Sequence, residues 1–139
     1  MNLQLRENID IRKKGGFMKS VLVVDDSSST RSLMTSMLED IGGIDVFEAS
    51  SGFEALKILP RQPFDLIVAD INMPDINGFE LVSFVKNNEK YKNIPVIFVS
   101  TERNEEEIKN GMSLGAFAYI TKPFNTEEFH YIVKRALSL

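Results

Sequence analysis

Four groups of residues have the types and the setting for chemistry. Asp25-Asp26 follow the apolar run Val21-Leu22-Val23-Val24, and Asp70 closes the run from Phe64 to Ala69. Ser100-Thr101 follow the run from Ile94 to Val99, and Lys122-Pro123 follow Phe117 to Thr121. Each run is too short for a helix and reads as a strand buried on both faces, with its last residue emerging where α/β proteins collect functional groups. If the strands are parallel, all four groups meet at one edge of one sheet. Three carboxylates there repel one another, and a pair at about 4 Å costs about 4 kcal/mol at an effective dielectric of about 20. Three acids and one lysine leave two negative charges, so a single divalent cation brings the cluster to neutrality. Taken singly, each group has a plainer reading: the paired acids as a helix cap, Asp70 as a solvated strand end, Lys122-Pro123 as a turn. It is their joint occurrence at strand ends that points to a site.

The elements that must position them follow from periodicity. After the first strand, the cluster Ser27-Ser28-Ser29 caps a helix whose apolar residues Leu33, Met34, Met37, Leu38 and Ile41 recur at three-to-four spacing. Gly42-Gly43 stops it as a left-handed cap. A short strand spans Asp45 to Ala49, and a second helix runs from Gly52 to Leu59 with Ala55, Leu56 and Leu59 inward, closed by Pro60 and Pro63. The loop Met73-Pro74-Asp75-Ile76-Asn77-Gly78 leads to a third helix with Phe79, Leu81, Val82 and Val85 buried. Asn104 with Glu107, and Asn125 with Glu128, have capping-box spacing at the starts of the last two helices. The fourth, ending near Gly115, has a thin apolar face of Ile108, Met112 and Leu114, which marks it for motion. The last carries Phe129, Ile132, Val133, Ala136 and Leu137 on one face. Glu105-Glu106-Glu107 is a favourable first helical turn, and His130 reads as solvated surface. Five strands alternating with five helices call for a parallel sheet covered on both sides.

The 139 residues amount to about one domain by length. Without cysteine there are no disulfides, thiolate metal sites or cysteine nucleophiles, and a bridge-free domain of this size fits the cytoplasm. No apolar run approaches a membrane span of roughly 18 residues. The net charge of -4 argues against nucleic acid as the main partner. Residues 1–17, with Arg6, Arg12, Lys13, Lys14 and Gly15-Gly16, read as a mobile N-terminal extension or tag before a domain over 18–139. The alternation of Leu3, Leu5, Ile9 and Ile11 leaves open an added edge strand or docking arm.

With Asp25-Asp26, Asp70, Asn72-Met73-Pro74, Ser100 and Lys122-Pro123-Phe124 at matching spacing, the chain from about Lys19 onward resembles the receiver domain of two-component response regulators, of the stand-alone chemotaxis (CheY-like) kind. The resemblance implies a flavodoxin-like, doubly wound sheet in the order 2-1-3-4-5. It implies that Asp70 accepts a phosphoryl group from a sensor histidine kinase. Mg²⁺ is the implied cofactor, held by Asp26, Asp70 and the backbone carbonyl of Asn72, with Asp25 acting through water; oxygen-only ligands agree with that ion. Lys122 and Ser100 are implied to hold the phosphoryl oxygens, Ser100 and Tyr119 to switch, and Asn72 and Glu102 to tune hydrolysis toward a short-lived phosphoryl state. Tyr119 would move from an exposed to a buried rotamer, altering the face of the fourth helix, fifth strand and last helix. The bond Lys122-Pro123 is implied to be cis. Serine stands at position 100 where threonine is commoner in the family, and Thr101 is bulkier than the usual residue there, narrowing access to Asp70.

A switch of this kind is not an enzyme beyond its own phosphorylation and dephosphorylation. It would be a monomer, with an output protein such as a motor switch or phosphorelay protein. It could equally be a phosphorelay intermediate or a receiver cut from a larger regulator, although no DNA-binding or catalytic segment follows Leu137. A phosphatase of the haloacid dehalogenase kind also uses a strand-end aspartate and a lysine. That family wants a second aspartate two residues after the nucleophile, and Asn72 stands there. A docking-only pseudo-receiver should lack an acid or the lysine, and this chain lacks neither.

Overall fold

The computed structural model describes residues 18–139, so the expectations for residues 1–17 lie outside the described residues. Strands β1 (Lys19–Val24), β2 (Ile44–Ala49), β3 (Leu66–Ala69), β4 (Val96–Ser100) and β5 (Ala118–Thr121) alternate with helices α1 (Ser28–Ile41), α2 (Gly52–Ile58), α3 (Gly78–Lys86), α4 (Glu105–Ser113) and α5 (Thr126–Leu137). All strand pairs are parallel, in the order β2-β1-β3-β4-β5. The three central strands carry unbroken apolar runs because both of their faces are covered. Leu22, Val24, Ile67, Ala69, Val96 and Phe98 point into a core closed by α2 and α3. Val21, Val23, Leu66, Val68, Ile97, Val99 and Ile120 point into the other, closed by α1 and α5.

Register sets the site. Val24 of β1 pairs with Ala69 of β3, so Asp25 and Asp70 both stand one residue beyond the last pair. Their amides extend the ladder, Asp25 N–H to Ala49 O at 3.1 Å and Asp70 N–H to Val24 O at 2.9 Å. Ser100 pairs with Thr121, which brings Lys122 N–H to Ser100 O at 2.8 Å.

Several local expectations need correction. The run ending β2 also includes Ile44, and α2 passes at Leu59 into a single 3-10 turn, Leu59–Arg61, because Pro60 is tolerated in a first turn. The pair Gly42-Gly43 does end α1, with positive φ at both, 87° and 73°, although ψ of 146° takes Gly42 outside the left-handed helical region; its amide donates to Glu39 O. On α4 Met112 faces solvent, and the buried residue is Gly111, where an added Cβ would lie 3.1 Å from the Phe98 ring. The helix packs there through bare backbone. Asn104 caps α4, but the reciprocal bond comes from Glu102, whose Oε2 accepts from Asn104 N–H at 2.9 Å. A full capping box occurs instead on α3, between Asn77 and Glu80. His130 is not simply solvated: its Nε2 lies 2.7 Å from Met37 O, tying α5 to α1.

Candidate functional site

The β3 run delivers Asp70 to the sheet edge almost fully enclosed, at 7% exposure, and Asp25 beside it at 0%. Asp26, one residue on, is exposed. Oxygens from the three carboxylates lie within 4.8 Å of one another. Burying acids this close is tolerable only with compensation, and the Lys122 ammonium supplies part of it, 3.1 Å from Asp25 Oδ2 and 3.8 Å from Asp70 Oδ2. The other Asp25 oxygen accepts from Ser27 N–H at 2.8 Å. Burial pushes the Asp70 carboxyl above the ordinary value; Lys122 opposes this, Asp25 adds to it, and the Ile71 and Asn72 amides oppose it. The Ile71 amide donates at 2.7 Å. An all-oxygen cluster with excess negative charge fits a hard divalent ion such as Mg²⁺. Each of the three carboxylates has an oxygen in reach of such an ion.

Ser100 is fully buried at the end of β4, and its Oγ accepts from Glu102 N–H at 3.2 Å. Tyr119 is half-buried; its hydroxyl donates to Glu102 O at 2.9 Å and its ring lies 6.1 Å from that of Phe98. Burial pushes the Tyr119 phenol up, against the hydroxyl of Ser100. Asn72 is exposed on the loop after β3, and the Lys122-Pro123 bond is cis, as the resemblance implied.

Four contributors were not singled out from the sequence. Arg31 on α1 donates from Nη1 to Asp25 O at 2.6 Å while its Nε donates to Glu48 Oε1 at 3.1 Å, so β2 holds the guanidinium against the acidic turn. Asp75 accepts from Gly52 and Phe53 N–H at 3.2 and 2.8 Å, fastening the loop after β3 to the start of α2. Gly78 allows α3 to begin against the strand end: an added Cβ would collide with Asp70 O and lie 2.9 Å from Ile71 Cα. Arg103 donates from Nη2 to Lys122 O at 2.8 Å. Side chains that reach across the fold leave no local pattern; only Gly78, just before an apolar stripe, could have been suspected as a close approach.

Comparison with known proteins agrees with this arrangement. A chemotaxis protein CheY homolog of Campylobacter jejuni is 39% identical over 108 residues, 77% of this chain and 83% of that protein. The structure of chemotaxis response regulator CheY4 of Vibrio cholerae superposes with a TM-score of 0.80 at 38% identity, covering 86% of this chain and 99% of its own. The sensor histidine kinase CheAY of Helicobacter pylori is 36% identical over 121 residues, 86% of this chain but 15% of its own length. The model of the response regulator receiver domain matches residues 21–134, the span that contains all five strands except the first two residues of β1, and every residue of the acidic edge. A parallel sheet in this order, with acids, hydroxyl and lysine at its carboxyl edge, is thus a CheY-like receiver fold, and the chain belongs to the response regulator receiver domain family.

Proposed function

We propose that the chain is a phosphoacceptor switch of a two-component signalling system, in which Asp70 takes a phosphoryl group from a phosphohistidine of a sensor histidine kinase. The observation that carries this reading is the grouping of Asp25, Asp26 and Asp70 within 4.8 Å, with Lys122 against two of them. An Asp70 carboxylate oxygen attacks phosphorus, the P–N bond breaks, and the leaving imidazole takes up a proton, giving an aspartyl phosphate. Mg²⁺ bound by Asp26, Asp70 and the Asn72 carbonyl would neutralise the acids and the charge on the transferring group. Lys122 pairs with a phosphoryl oxygen, and the Ser100 hydroxyl donates to another. Transfer of this kind asks mainly for positioning and charge stabilisation, and buried, prearranged groups supply both.

Phosphorylation replaces one carboxylate charge with a near-dianion. Ser100 turning toward it draws in the loop that carries Glu102, whose carbonyl holds the Tyr119 hydroxyl. The signal thereby reaches the face of α4, β5 and α5, where an output protein binds. Asn72 and Glu102 set the approach of hydrolytic water, and the phosphoryl state is short-lived. The chain works as a cytoplasmic monomer and a switch rather than an enzyme on outside substrates; no described helix is long and apolar enough to cross a membrane. Similarity to chemotaxis regulators favours a motor-switch output. The match to one part of a longer kinase supports the second reading, a phosphorelay intermediate or a receiver from a larger regulator.

The test is mass spectrometry of the protein with Mg²⁺ and a small phosphodonor, comparing wild type with Asp70→Asn. A Mg²⁺-dependent adduct of one phosphoryl group, absent from the variant, is expected. No adduct and no Mg²⁺ binding would leave a docking-only module.

A further inference from the structure

The loop between β4 and α4, residues 101–104, is fastened to the β5 side by two side chains. One is the Tyr119 hydroxyl on Glu102 O. The other runs the opposite way: Arg103 leaves the loop and its guanidinium donates to the carbonyl of Lys122 at 2.8 Å. Lys122 is itself locked to β4, through its amide on Ser100 O at 2.8 Å, and its ammonium lies 3.1 Å from Asp25. Arg103 therefore ties the loop after β4 to the residue that faces the acids.

We infer that Arg103 is a positioning residue that clasps the β4–α4 loop over the acidic edge by gripping the Lys122 main chain, and so favours the closed, phosphoryl-bound arrangement. The inference rests on the phosphoacceptor reading of Asp70. Drawing Ser100 toward a phosphoryl oxygen requires Thr101 to Asn104 to follow, and a loop already held to Lys122 has less freedom to lose on closing. Within the loop, Glu102 N–H on Ser100 Oγ and Asn104 N–H on Glu102 Oε2 stiffen it, but neither reaches β5. Arginine suits the task because its planar fork is preorganised and keeps its charge at all working pH values. The carbonyl it grips precedes Pro123, at the point where the chain leaves β5 for α5. The clasp consequently joins the loop that follows the hydroxyl of Ser100 to the residue that bears the ammonium.

The test uses the full chain and beryllofluoride, a phosphoryl mimic, with Mg²⁺ present. Wild type, Arg103→Ala, Arg103→Lys and Asp70→Asn are titrated by nuclear magnetic resonance, and Mg²⁺ affinity is measured separately without the mimic. Loss of the preordering that the clasp gives the loop predicts about fivefold weaker beryllofluoride binding by Arg103→Ala. Mg²⁺ affinity should stay unchanged, the melting temperature should fall by about a few degrees because the same hydrogen bond is present before the mimic binds, and Arg103→Lys, which can still donate to the Lys122 carbonyl, should recover part of the loss in mimic affinity. Unchanged beryllofluoride affinity in Arg103→Ala overturns the clasp, as does an equal loss of Mg²⁺ affinity, which would mark general support of the site. Failure of wild type to bind the mimic in an Asp70-dependent way overturns the phosphoacceptor reading and the clasp together.

Discussion

The ammonium of Lys122 stands closer to Asp25 than to Asp70, 3.1 Å against 3.8 Å. It is thus positioned first as the counter-charge of a fully buried acid, and a phosphoryl group arriving on Asp70 must share it. Replacing it with a neutral side chain of similar length separates its two tasks. Lys122→Met should slow phosphorylation of Asp70 by about a hundredfold or more, as for loss of one preorganised donor to a developing anion. Mg²⁺ binding should tighten, because the acids lose their competing cation. Phosphodonor kinetics and a Mg²⁺ titration on the same protein check both directions; weaker Mg²⁺ binding would contradict this charge balance.

Asp70→Asn should stabilise the protein at neutral pH in the absence of Mg²⁺. Burial holds the Asp70 carboxyl above its ordinary value, so its ionised form costs folding energy that the amide does not. With the folded value raised, that cost fades as pH falls through it, and the gap between the proteins should close on acidification. Saturating Mg²⁺ should also close it, since wild type alone gains the full ligand contribution. Urea unfolding with and without Mg²⁺ provides the comparison.

Asp75 offers a pH signature of opposite sign. Desolvation pushes its carboxyl up, but the amides of Phe53, Ile76 and Gly52 outweigh this and hold it below the ordinary value. Its stabilisation is therefore complete above the unfolded value of about 3.9 and is lost as pH falls through the lower folded value. Asp75→Ala should cost about 1 kcal/mol at pH 7, as for a lost helix cap. The difference from wild type should shrink toward pH 3; a constant difference would argue against the carboxylate as the cap.

Gly78→Ala should destabilise the fold by about 1–3 kcal/mol, the usual cost of overpacking. The added methyl meets Asp70 O and the Phe98 ring, so it should also impair phosphorylation, whereas Gly42→Ala, with open space around its Cβ, should affect stability alone through its positive φ. Thermal unfolding and adduct yield for the pair distinguish the two glycines.

The acids, the hydroxyl and the lysine were legible because each ends a short apolar run, and parallel topology sends all such ends to one edge. That both faces of the sheet are covered followed from the same runs, whereas the strand order came from the resemblance to receiver domains. What escaped were contacts that depend on the fold being assembled. Nothing near Asp75 in sequence says that it will reach back to Gly52, nor does anything near Arg31 or Arg103 reveal the carbonyls they grip. Met112 misled because helical spacing marks a stripe, while on α4 the bare backbone at Gly111 lets the helix sit flush on Phe98 and turns Met112 outward. Glu102 took the capping bond expected of Glu107 because a tight loop brought it within reach first.

The amides of Asp25 and Asp70 complete the ladder of β1 with its two neighbours. Solvent deuterons can then reach them when β1 parts from the edge strand β2 and from β3. These two amides should exchange on the timescale of whole-molecule unfolding, far more slowly than those of α4, which is held by a single buried glycine. The acidic edge and global cooperativity are thereby joined at one end of the sheet, while α4 beside it stays free to breathe.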